Sequence, residues 1–154
     1  EKTMEYTQLE EERMHQMLLS PHFALDEFIK SGTAQKRGID NVPPSIIVIV
    51  RLMTLCEEVL EPLRKRYGAN SITNGYRCQL LNLQVGGVIN SQHTLGEAAD
   101  IFVPNYQTLV NYMQFIQDNC NFDQMILEPR NQTLKRWLNV SNTLRHKNRR
   151  QVLS

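Results

Sequence analysis

The stretch NSQHTLGEAADIFV, residues 90–103, decides the reading of this chain. Its second half alternates. Ala99, Ile101 and Val103 share one face of an extended segment, and Ala98, Asp100 and Phe102 share the other. The first face suits a core. Asp100 then projects from the opposite face among small neighbours, and a carboxylate in such a place needs a partner. His93 lies seven residues upstream, across a loop that Gly96 allows to turn tightly. A loop of that length can fold the imidazole back over the strand. A histidine nitrogen and an aspartate oxygen converging on one point make two ligands of a zinc site. The same spacing also suits an aspartate that caps Thr94 or pairs with Arg77.

The bulk properties fit one globular domain. The chain has 154 residues, of which 41% are hydrophobic and 21% charged, enough for a core with a polar surface. A net charge of +1 supplies no global field for nucleic acid or anionic membrane. No run of 18 apolar residues exists, so no membrane-spanning helix is expected. The acidic first 19 residues lack a basic region followed by an apolar core, so they do not read as a signal peptide. Cys56, Cys78 and Cys120 are odd in number and widely spaced. That excludes a disulfide framework and a cysteine zinc site, and makes Cys56 and Cys120 small core residues.

Working outward, residues 1–19 form an acidic helical extension with Met14, Met17 and Leu18 on one face, and residues 20–154 form the domain. A short helix is expected near residues 25–31. Pro44 marks the start of a long helix over residues 46–66, apolar nearly all round at first and therefore buried. SITNG reads as a short strand and CQLLNLQVGG as a short helix closed by glycines. Residues 97–103 are a strand and 104–120 a helix, and two further strands, FDQMILE and RWLNVSN, follow. The basic tail, with Arg145, Lys147, Arg149 and Arg150, reads as a solvated edge. Helices first and strands later predict an α+β fold, with a small, mostly antiparallel sheet flanked by helices.

The ordered motifs ITNGYR, LN, VGG and NSQHTLGEAADI resemble the zinc D-Ala-D-Ala peptidase family, in its Streptomyces-type carboxypeptidase branch. The resemblance runs from about Ser20 to the C-terminus. It implies a hedgehog/D,D-peptidase-like fold and hydrolysis of D-alanyl bonds in peptidoglycan stem peptides, in a cell-wall or phage endolysin-like role. It implies a zinc ion held by two histidines and an aspartate, a water in the open position, and an acid as general base. Carried over, His93 and Asp100 match two ligands. Arg77 and Ser91 match the substrate-holding residues, and Glu128 is the best match for the catalytic acid, with Asp123 as runner-up.

The third ligand departs from the pattern. The family closes its sheet with Trp-x-His-x-Ser, and this chain has Trp137, Asn139 and Ser141. Alternation puts those three on one face, with Leu138 and Val140 in the core. Zinc prefers N and S donors, and an amide oxygen is a poor substitute. Zinc is therefore expected to be weak or absent unless His22 or His146 replaces the missing imidazole. Two functions follow: an impaired zinc D,D-peptidase, or a catalytically inactive module that binds cell-wall peptide or protein on the same fold.

Overall fold

A computed structural model describes residues 6–128 and 136–154, with Glu128 described for its backbone alone. Helix α1 (Gln8–Gln16) opens with a capping box, in which Thr7 Oγ1 accepts from Glu10 N and Glu10 accepts from Thr7 N. Strands β1 (Leu18–Ser20) and β2 (Phe23–Ala24) form a small separate hairpin, followed by α2 (Leu25–Ile29) and α3 (Gly32–Arg37). One helical run then spans α4 (Ile46–Leu55), a π turn (Cys56–Leu60) and α5 (Glu61–Tyr67). The π turn sits just before Pro62. Proline cannot donate to the ladder, and the wider turn takes up the resulting mismatch. Strand β3 (Ile72–Asn74), α6 (Gln79–Gln84), a 3-10 turn (Gln92–Leu95), β4 (Ala98–Val103), α7 (Tyr106–Asn119), β5 (Gln124–Glu128), β6 (Arg136–Ser141) and β7 (Gln151–Leu153) complete the chain.

The main sheet has the order β3-β4-β6-β5-β7. Every pairing is antiparallel except β5 with β7, so the α+β reading with a mostly antiparallel sheet is borne out. One face is apolar: Ala99, Ile101, Val103, Met125, Leu138 and Val140 join one core with Leu52, Leu55, Val59 and Leu63 of the long helical run and Leu109 and Ile116 of α7. Burial of each such leucine contributes about 1.5–3 kcal/mol. The other face carries the polar positions. There Asp100 stands directly opposite Asn139, and Asn74 opposite Asp100.

Several expectations need correction. The start of α4 is not buried all round: Ile46, Ile47 and Val50 are exposed, while Val48 and Ile49 face the core. Pro44 lies one residue before the helix N-cap, which is Ser45. Met17 and Leu18 are exposed, and Leu18 belongs to β1, so neither shares the buried position of Met14. The first hairpin, α3 and β7 have no counterpart in the sequence reading. The tail is exposed and lies at the sheet edge, as expected, but it is also structural. Gln151–Leu153 forms a sheet strand, and Arg145 and Arg149 pair with buried acids.

Candidate functional site

His93 is set by a turn built for it. Ser91 Oγ accepts from His93 N at 3.2 Å, and Thr94 Oγ1 donates to Ser91 O at 2.6 Å. Gly96 ends the turn at φ +79°, where a Cβ would also meet Val48 O at 2.8 Å. The imidazole is 4% exposed, and its Nδ1 lies 2.6 Å from Gly75 O. A carbonyl only accepts, so Nδ1 donates to it, and in that tautomer Nε2 offers its lone pair. Gly75 makes this possible. A Cβ there would lie 2.7 Å from the Phe28 backbone, where Tyr76 N donates to Phe28 O.

Two side chains, Asn139 and Asp100, lie beside His93 Nε2, and Asn74 backs the aspartate. Asn139 Nδ2 lies 2.9 Å from His93 Nε2 and 2.9 Å from Asp100 Oδ1. Asn74 Nδ2 donates to the other oxygen, Asp100 Oδ2, at 3.3 Å. His93 Nε2 and Asp100 Oδ1 are 3.4 Å apart. Both can only accept here, so the nitrogen of Asn139 must face them. The reversed amide would set a third lone pair against two others. Burial raises the Asp100 carboxyl, but the hydrogen bonds around it, those from Asn139 and Asn74 among them, bring it below the ordinary aspartate value.

These residues do not complete a zinc site. His93 Nε2 and Asp100 Oδ1 keep the disposition of two ligands, with the histidine tautomer fixed from behind by a carbonyl. The third position presents an amide nitrogen, which has no lone pair to give, and its two N–H groups take up the lone pairs a metal would need. Among the described residues no three His, Cys, Asp or Glu side chains are placed to share an ion. His22 pairs instead with Glu61, and the exposed His146 makes a local contact with Lys147 O, so neither supplies the missing ligand.

Arg77 borders the same cluster. Its backbone N donates to His93 O at 3.1 Å, and its Nη2 donates to Ser91 Oγ at 3.3 Å. Its buried Nε has no partner. Burial lowers the guanidinium, and the charge of Asp100 opposes that. Ser91 is itself buried, so it holds Arg77 and the turn together. A groove of about 710 Å³ opens beside Arg77 and Asn74, with Lys30 and Ser31 on its lining as well as Leu81 and Val85. Glu128 ends β5 with its backbone opposite Trp137, and its side chain lies outside the described residues. Asp123 is fully buried and bound by Arg149 and Gln92, the bonding expected of a structural acid.

Asn74 is the site residue missed in the sequence. Its signal was the position just before Gly75 at a strand end, on a strand adjoining that of Asp100. A family model, Peptidase M15, matches residues 21–133, nearly three quarters of the chain. The chain belongs to that family, as the motifs around His93 and Asp100 imply. The match includes both of those residues and ends before Asn139. A comparison with curated proteins finds no match.

Proposed function

We propose that this chain is a peptide-binding member of the peptidase family that does not hydrolyse its ligand. The single observation that carries this reading is the Asn139 amide, bonded at 2.9 Å to both His93 and Asp100. A peptidase of this kind needs a firmly held metal to bring the pKa of its water toward ~7. Here the two remaining ligands are engaged by N–H groups. Of the two residues matched to substrate holding, Arg77 lines the groove, which supports the reading. A guanidinium there suits the terminal carboxylate of a stem peptide ending in D-alanine. Binding therefore outlives catalysis.

The test combines metal analysis with a cleavage assay. Protein purified without chelator should carry no zinc, and D-alanyl peptides should remain uncut with added zinc. Asn139→His should gain both metal and turnover, and Asn139→His with Glu128→Gln should keep the metal and lose the turnover. Zinc-dependent turnover by the native chain would restore the impaired-peptidase reading. Equal turnover by the two variants would remove Glu128 from the role of base.

A further inference from the structure

We infer that Asn139 is the recognition group of this site: with its amide nitrogen tied to His93 and Asp100, its carbonyl oxygen Oδ1 accepts the N–H of a ligand peptide bond whose carboxylate is held by Arg77. This rests on the peptide-binding reading and adds which ligand atoms are read.

Both N–H groups of Asn139 are spent on fixed acceptors, His93 Nε2 and Asp100 Oδ1. Those acceptors are themselves anchored, His93 by Gly75 O and Asp100 by Asn74 Nδ2. The amide plane is therefore locked, and it cannot flip without opposing lone pairs. Oδ1 takes no hydrogen bond from any described residue. An oriented acceptor thus stands in the cluster, and the adjoining Arg77, which lines the groove, supplies a cationic donor. An acceptor beside a cationic donor complements the last residue of a peptide, which offers an N–H and, two bonds further on, a carboxylate. A site pre-organised in this way holds the intact amide in its ground state, which lends no acceleration to its hydrolysis.

An ester replacement tests the idea directly. An N-acylated Lys-D-Ala-D-Ala peptide and its depsipeptide analogue, in which an ester oxygen replaces the terminal amide N–H, are titrated into the native protein in the presence of chelator. Backbone amide NMR shifts report binding. The ester should bind roughly tenfold more weakly, because it loses one hydrogen bond and sets its oxygen against Oδ1. The Asn139→Leu variant should lose that preference while still binding the peptide through Arg77. Equal affinity of the native protein for both ligands would overturn the role of Oδ1 and leave the peptide-binding reading standing. Binding of neither would overturn both. Stoichiometric zinc uptake by the native protein, turning Oδ1 inward as a ligand, would also refute the assignment. The comparison of two ligands on one native protein does not depend on how well any variant folds.

Discussion

Gln92 and His93 are neighbours in one 3-10 turn, yet they serve two different polar clusters. Gln92 Nε2 donates to Glu97 Oε1 at 3.1 Å and to Asp123 Oδ2 at 3.0 Å. Both acids are fully buried, and each is met by an arginine: Arg145 on Glu97 and Arg149 on Asp123, through two guanidinium contacts apiece. On the other side, His93 meets Asp100, and there the carboxylate is satisfied by the neutral amides of Asn74 and Asn139. The first cluster cancels charge with charge and leaves nothing over. The second meets its acid with neutral amides and no bound guanidinium, and leaves Asn139 Oδ1 with unused capacity beside Arg77. A closed cluster reads as structure, and an open one as a site.

The largest effect should come from changing the open cluster into a metal centre. Asn139→His exchanges a double donor for a nitrogen lone pair, which completes two histidines and an aspartate. Zinc affinity should rise roughly a thousandfold, about 4 kcal/mol. Isothermal titration of both proteins measures it. A variant no tighter than the native chain would show that His93 and Asp100 are too firmly held to ligate.

Next comes the closed cluster. Arg149→Met leaves Asp123 buried without its charge partner and should cost about 3 kcal/mol in urea unfolding. Asp123→Asn should cost less, about 1 kcal/mol, because Arg149 is half exposed and can turn to water. If the two variants cost the same, the asymmetry assigned to burial is wrong.

The same cluster sets the acid response. Burial raises the Glu97 carboxyl, but Arg145, Thr143 and Gln92 outweigh it and hold it below its ordinary value. Asp123 is likewise lowered: its burial is outweighed by Arg149 and Gln92. A folded value below the unfolded one means stability that is fully present above about pH 4 and lost as the pH falls through the folded value. The urea midpoint should therefore drop from pH 5 to pH 3. A double variant, Glu97→Gln with Asp123→Asn, should start lower and fall less steeply. Parallel curves for the two proteins would exclude these acids as the source.

The open cluster was largely legible in the sequence and the closed one was not. Alternation in AADIFV and RWLNVS placed Asp100 and Asn139 on one sheet face, because a strand that buries one side leaves no freedom in its register. Glu97 gave no such signal. It immediately precedes the same strand, and its partner Arg145 lies 48 residues on in a tail whose composition suggests only solvent. The pairing exists because β7 returns beside β5, and a three-residue parallel strand carries almost no pattern of its own. The exposed side of α4 failed for a related reason: a fully apolar run tells that a helix is near the core, not which face stays uncovered.

The smallest expected effect isolates the amides themselves. Asn74→Ala removes one donor from Asp100 and leaves Asn139 on the other oxygen. The bond is long, at 3.3 Å, and Asp100 is slightly open to solvent, so a water can take the vacated place. Stability should fall by about 1 kcal/mol or less, well under the cost of Arg149→Met. Peptide affinity should fall too if Asp100 must stay fixed to hold Asn139 in its plane. The two readouts separate the possibilities. A loss of stability without a loss of affinity would make Asn74 a structural donor alone. A loss of affinity with stability intact would place it in the chain of bonds that aims Oδ1. A loss as large as that of Arg149→Met would collapse the distinction between the clusters, since one neutral amide would then count for as much as a buried ion pair.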